Sequence, residues 1–112
     1  MTKYYNIVDL ENLNKLFKEL YSILLNEGDS ETNYAKGTLA NMIKVITDIL
    51  NSPDSINLKE VFDEIIERYK GLYPPRGGLT EFFIWRDNFD DRVKANKPLN
   101  DIKEAIKSII GV

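Results

Sequence analysis

The sequence predicts an all-α domain: an irregular bundle of four main helices with one or two short helical turns and one proline- and glycine-rich loop. Apolar residues recur at spacings of three and four along four stretches of the chain. No convincing pair of strands accompanies them. A chain of 112 residues, 43% hydrophobic and 29% charged, is long enough to bury one core without metal or disulfide support. We therefore expect residues 1–112 to form a single helical domain.

The first helix is predicted from a stripe of seven apolar residues. Asp9 is its expected N-cap, and Gly28 is expected to end it in a left-handed conformation. Polar residues, among them Asn14, are expected to fill the opposite, solvent-facing side. The stripe consists of Leu10, Leu13, Leu16, Phe17, Leu20, Tyr21 and Leu24.

The second helix follows a polar stretch that begins at Gly28. Gly37 lies inside it and should cost about 1 kcal/mol relative to alanine. Either the helix tolerates this glycine, or a neighbouring helix crosses closely there. The turn-forming residues of 51–55 predict a loop after it. Its stripe consists of Tyr34, Ala35, Leu39, Met42, Ile43, Ile46, Ile49 and Leu50.

The third helix begins with Asn57 and Glu60, which are spaced as in a capping box. Gly71 is expected to close this helix. Its apolar stripe consists of Leu58, Val61, Phe62, Ile65, Ile66 and Tyr69.

The region after Leu72 has a different character. Consecutive prolines and glycines exclude regular structure over 73–78, and Gly77 and Gly78 favour a tight turn rather than a phosphate-binding loop. We expect a helix N-capped by Thr80 to run through the bulky residues 82–85 into Arg86 or Asp87.

The C-terminal part is predicted as two separate helices. The first is a short helical piece over 88–95. Pro98 suits the first turn of the second, since its missing N–H costs little there. That last helix is expected to end near Gly111, and its stripe consists of Leu99, Ile102, Ala105, Ile106, Ile109 and Ile110.

Composition excludes most familiar catalytic chemistry. The chain contains no Cys and no His, so thiolate and imidazole cannot act as nucleophile, base or metal ligand. The net charge is −3 and no segment is basic, which argues against nucleic-acid binding. We expect no catalytic residues and no cofactor.

The amino terminus lacks a secretory pattern, and no apolar run reaches membrane-spanning length, so we expect a cytoplasmic protein without a membrane partner. A composition with 11 Lys against 4 Arg, 13 Ile and 11 Asn is typical of an AT-rich, bacterial genome.

Carboxylates are the remaining acid–base groups. Asp63 with Glu67, and Glu60 with Glu64, stand four apart on the third helix, opposite its apolar stripe, so a solvated face is the favoured interpretation. The acidic run 87–91 lacks the glycine and distal glutamate of a calcium loop and favours helix capping. No metal site is expected.

The segment 73–90 is the leading candidate for a protein-binding surface. It concentrates aromatic and arginine residues, which are enriched at interface hot spots. Either the aromatic side chains of this segment close one end of the bundle, or they are part-exposed and bind a partner. In the second case we expect Trp85, Tyr73 and Phe89 to be apolar anchors, Arg76 and Arg86 to be bidentate donors to a partner, and Asp87 and Asp90 to form an acidic rim.

The order of several short motifs resembles a family of small bacterial all-helical proteins of unknown function, some of which look like immunity proteins. The resemblance covers about residues 20–85. It implies an all-helical fold and a partner, a toxin, that is neutralised by direct binding. The motifs are 24–29 (LLNEGD), Tyr34-Ala35, 65–69 (IIERY) and 77–82 (GGLTEF).

Two other functions stay open. One is a small-molecule pocket or cryptic enzyme near Arg76, using Tyr73 and a buried Glu67 or Glu81. The other is a structural role, with a monomer or weak homodimer associating through aliphatic residues. The aliphatic candidates are Ile7, Val8 and Ile110.

Overall fold

The computed structural model describes residues 5–52 and 57–111 and confirms the all-α class. Four long helices are joined by two short helical turns, and the described residues contain no strand. The loop predicted over 51–55 lies mostly outside the described residues, except that Asn51 ends a helix and Ser52 caps it. The elements are α1 (Ile7–Glu27), a 3-10 turn (Ser30–Thr32), α2 (Asn33–Asn51), α3 (Leu58–Lys70), α4 (Gly78–Glu81) and α5 (Phe89–Ile110).

The helix α1 begins earlier than predicted. Asn6 is the N-cap, and its side chain accepts a hydrogen bond from the Asp9 amide at 2.8 Å. The Asp9 carboxylate accepts in turn from the Asn6 amide at 3.1 Å. Asp9 therefore completes a capping box instead of being the cap, because each of the two side chains accepts from the backbone amide of the other residue.

The end of α1 also differs from the prediction. Gly28 has φ −79° and ψ 160°, which is extended and not left-handed. A Cβ at this position would overlap the Thr32 hydroxyl and the Leu24 carbonyl oxygen. Glycine is needed here for space, since the 3-10 turn folds directly back onto the helix end.

The core is formed by the predicted stripes, except that Tyr34 of the α2 stripe is exposed to solvent. Phe17, Phe62, Leu39 and Leu99, from four different helices, are all essentially inaccessible to solvent. Asn14 is also buried, contrary to the prediction, and its amide nitrogen donates to the Thr47 hydroxyl at 3.2 Å.

The glycine inside α2 is tolerated without a special packing role. A Cβ on Gly37 would meet no atom within 4 Å, so no helix crosses closely there and that alternative is wrong. In α3, Asn57 accepts a hydrogen bond from the Glu60 amide at 3.2 Å, and Gly71 caps the end, as predicted.

The helix predicted over 82–85 is wrong. The short helix α4 ends at Glu81, and Phe82 turns to extended backbone with ψ 130°. Gly77, not Thr80, is the N-cap, while the Thr80 hydroxyl donates to the Pro74 carbonyl at 2.6 Å. Gly77 and Gly78 have φ 75° and 53°, which confirms the predicted glycine turn.

The two predicted C-terminal helices are one continuous helix. Pro98 lies inside α5, where it removes the N–H that would pair with the Lys94 carbonyl. Both residues are exposed, so water can solvate that carbonyl, and burial of Leu99, Ile102 and Ile106 holds the helix across the proline. Gly111 ends α5 at φ 77°, as predicted.

Candidate functional site

Four large apolar side chains form an exposed aromatic patch at the start of α5 and in the extended segment before it. Large apolar side chains normally lie in the core, so the exposed fractions of these four are high. The aromatic patch consists of Phe83 (51% exposed), Trp85 (61%), Phe89 (68%) and Val93 (54%).

Trp85 is held at the surface by contacts on two sides. The Arg92 guanidinium carbon lies 3.8 Å from the indole centroid, which is cation–π geometry. The Phe83 ring meets the indole edge-on at a centroid distance of 6.5 Å. The indole N–H donates to an Asp87 carboxylate oxygen at 3.4 Å. The ring is thus exposed but oriented.

The extended segment 82–86 is fixed to α5 by a side-chain amide. Asn96 is buried, and its oxygen accepts from the Ile84 N–H at 2.9 Å while its nitrogen donates to the Ile84 carbonyl at 2.8 Å. Ile84 is buried, whereas its two neighbours in the chain are more than half exposed. Phe83 and Trp85 are therefore directed outward.

The guanidinium of Arg86 already forms a bidentate ion pair within the molecule. Its two terminal nitrogens lie 2.6 and 3.2 Å from the two carboxylate oxygens of Glu27 at the end of α1. This hydrogen bond lowers the pKa of Glu27 and raises that of Arg86. The sequence did not predict this ion pair, because Glu27 and Arg86 lie 59 positions apart, and the role of Arg86 as a donor to a partner stays a prediction.

The acidic residues beside the patch are exposed. Asn88 caps α5 by accepting from the amides of Asp90 and Asp91 at 2.8 and 3.2 Å. This confirms the capping interpretation of the acidic run. Asp87 and Asp90 remain accessible beside Trp85 and Phe89, at the place predicted for an acidic rim.

Tyr73 and Arg76 do not join the aromatic patch. Tyr73 is half-buried, packs edge-on against Tyr69 at a centroid distance of 5.2 Å, and shares a hydroxyl–hydroxyl hydrogen bond of 2.6 Å with it. Among the described residues, no hydrogen bond, ion pair or ring contact connects Tyr73 or Arg76 with Trp85. Tyr73 therefore packs on α3 and not beside Trp85, and the binding role of the segment stays a prediction.

Arg76 borders an open groove of about 470 Å³ that includes Tyr34 and Glu81. Glu67 and Glu81 are both exposed, so the buried acid expected for a pocket near Arg76 is wrong at both positions.

Phe83 and Val93 of the aromatic patch are not among the residues predicted for the binding surface. Arg92 and Asn96, which support the patch, are not among them either. The spacing of four between Phe89 and Val93 is a signal that could have revealed an apolar pair on one helical face. Arg92 is half-buried against Trp85, and no local pattern in the sequence indicates this contact. No local pattern indicates that Asn96 pairs with Ile84, twelve residues away.

The acidic pairs on α3 are solvated, as predicted. All four carboxylates are exposed, and two of them form surface ion pairs, Lys59–Asp63 at 3.0 Å and Glu64–Arg68 at 3.1 Å. The described residues contain no group of three or more possible metal ligands.

The aliphatic residues suggested for self-association are mostly covered. Ile110 is buried and Ile7 packs against the core, while Val8 alone of the three is well exposed. The prediction of Ile110 as an exposed contact is therefore wrong, because its stripe faces the bundle.

The comparisons with known proteins give no relative on which to base a function. No protein-family model, curated protein or solved structure matches the chain. In the part of the chain described, none of the helices combines the length and apolar character needed to span a bilayer.

Proposed function

We propose that this protein is a non-enzymatic, cytoplasmic protein-binding module that engages its partner through the aromatic patch. The observation that carries the proposal is the exposure of Trp85 and Phe89, the two most exposed members of the patch, beside an acidic rim. Tryptophan is prominent among residues that dominate binding energy at protein interfaces, and phenylalanine is enriched there.

The charges around the patch specify the kind of partner. Asp87 and Asp90 are exposed beside the aromatic rings, and Arg86 is already paired with Glu27. A complementary partner would present an apolar cleft bordered by Lys or Arg. The resemblance to immunity-like proteins makes a toxin, neutralised by direct binding, the first partner to test.

The proposal is tested by comparing three forms of the protein as affinity baits in its source cell. The double variant Trp85→Ala/Phe89→Ala removes both anchors, and Tyr34→Ala removes an exposed aromatic side chain on α2, outside the patch. A specific partner is expected with the wild type and with Tyr34→Ala, but not with the double variant. The purified partner should bind the double variant at least about 30-fold more weakly.

The toxin assignment has its own measurement. Expression of the captured partner should stop growth, and co-expression of the wild type or Tyr34→Ala should restore it, whereas the double variant should not. Capture that is equal for all three forms would overturn the aromatic patch as the binding surface. A partner without toxicity would overturn the immunity-like role and leave the binding function intact.

A further inference from the structure

A second surface feature lies between the end of α3 and the C-terminal half of α5. It is an open groove of about 490 Å³, within the range of small-molecule sites. We refer to it as the lysine groove, and it is lined by Tyr69, Lys70, Tyr73, Lys103, Glu104 and Lys107.

The lysine groove is positive in a protein whose net charge is −3. Three ammonium groups and one carboxylate line it, and none of the three lysines forms an ion pair with a carboxylate of residues 5–52 or 57–111. Lys70 and Lys107 lie near helix C-termini, where positive charge is favourable in any case. Lys103 lies in the body of α5, and the helix dipole does not explain it.

Lys103 is a desolvated cation with weak polar partners. It is half-buried, its ammonium lies 5.8 Å from the Tyr73 ring centroid, and its hydrogen bond to the Leu79 carbonyl is long, at 3.5 Å. Burial lowers its pKa, because the charged form loses hydration. An anion in the groove would compensate for that loss.

Tyr69 and Tyr73 contribute aromatic carbon atoms and a hydroxyl donor to the lining of the lysine groove. Tyr69 and Tyr73 share one hydroxyl–hydroxyl hydrogen bond, so one hydroxyl donates to the other. The second hydroxyl hydrogen has no acceptor among the described residues. The groove thus offers ammonium and hydroxyl donors above aromatic rings, and Glu104 supplies its one side-chain carboxylate.

We propose that the lysine groove binds a small organic carboxylate with a flat apolar body. The carboxylate would accept from Lys103, and the apolar body would lie against the half-buried ring of Tyr73, which Tyr69 supports from below. This site is independent of the aromatic patch and of the proposed protein-binding function.

The test uses naphthoate as the probe and the uncharged naphthalenemethanol as its matched isostere, with calorimetric titration of the full chain. We expect one naphthoate per chain and an affinity at least about tenfold higher than for the alcohol. Lys103→Met should remove most of that preference. The exposed Lys107→Met should reduce it to a smaller extent, and Lys44→Met, exposed on α2, should leave it unchanged.

Amide NMR spectra provide a second readout that does not depend on how Lys103→Met folds. Shifts caused by naphthoate should concentrate at residues 69–73 and 103–107. Equal binding of the acid and the alcohol, no binding of either, or shifts centred on Phe83 and Trp85 would each overturn the proposal.

Discussion

Two glycines show how strongly a single residue's environment decides its role. Gly78 has φ 53°, and a Cβ there would lie 2.8 Å from both the Leu72 carbonyl oxygen and the Pro74 ring. Gly37 lies within α2 with no atom near the same position. Gly78 is required by its backbone conformation and by the space around it, whereas Gly37 only weakens α2.

These environments predict opposite effects of the same substitution. Gly78→Ala should lower the free energy of unfolding by about 1–3 kcal/mol, because it adds left-handed strain and a clash. Gly37→Ala should raise it by about 1 kcal/mol through helix propensity. Urea denaturation of both variants measures the two values, and equal signs would contradict this account of the turn.

The buried tyrosines predict a loss of stability at alkaline pH. Burial raises the pKa values of Tyr69, Tyr73 and Tyr5. Above about pH 10 the unfolded chain releases tyrosine protons that the folded chain retains, so the unfolded state binds fewer protons. Stability should therefore be present below pH 10 and should decline as the pH rises beyond it.

Tyr69→Phe should reduce that decline, and Tyr34→Phe, at an exposed position, should not. Comparing each variant with the wild type at each pH cancels the opposite contribution of Lys103. Burial lowers the pKa of Lys103, so its contribution to stability increases with pH up to its unfolded pKa. A Tyr69→Phe profile identical to that of the wild type would exclude Tyr69 as a source of the decline.

At the scale of elements, two side chains of α5 hold segment 82–86, Arg92 through the Arg86 carbonyl and Asn96 through both backbone groups of Ile84. Asn96→Ala would leave the N–H and carbonyl of buried Ile84 without partners, which should cost about 1–3 kcal/mol. The Ile84 amide should also exchange its hydrogen faster. Asn100→Ala, at an exposed site one turn further along α5, is the matched control and should change neither quantity.

The four long helices were predictable because each carries its own apolar stripe and local caps. Three errors have a common cause in tertiary contacts. The segment 82–85 is extended since Asn96 pairs with Ile84, α5 continues through Pro98 because its later residues are buried, and Asn14 is buried because Thr47 receives its amide. The partners of Ile84 and Asn14 lie too far away in the sequence for periodicity to reveal them.

For the candidate site, the sequence singled out Trp85 and Phe89, but it did not decide whether Trp85 is exposed and did not reveal the separation of Tyr73 from them. Aromatic composition was the correct signal, yet it cannot distinguish a ring that packs on Tyr69 from one that faces solvent. The Arg86–Glu27 pair joins residues 59 positions apart and was not predictable from either segment alone.

At the scale of the whole molecule, the proposed surfaces are separate. Phe89 and Lys103 stand fourteen residues apart on α5, about 21 Å along the helix axis. Substitutions in the aromatic patch should therefore leave naphthoate binding unchanged, and occupation of the lysine groove should leave the partner's access to Trp85 intact.

Substitutions in the aromatic patch and in the core should also differ in how much they lower the free energy of unfolding. Trp85→Ala removes an exposed side chain and one cation–π contact, and should cost about 1 kcal/mol or less. Ile84→Ala, one residue earlier, empties a buried position and should cost about 2–5 kcal/mol. Thermal melts of the two variants distinguish these effects, and a large loss for Trp85→Ala would show that its ring supports the fold.

The two hydrogen bonds between the Asn96 side chain and the Ile84 backbone affect how a partner associates with the aromatic patch. Since the backbone that carries Phe83 and Trp85 is already immobilised, a partner has no loop to order when it arrives, and the associated entropy loss is small. Encounter should then proceed in a single bimolecular phase, with an observed rate that rises linearly with partner concentration and shows no plateau.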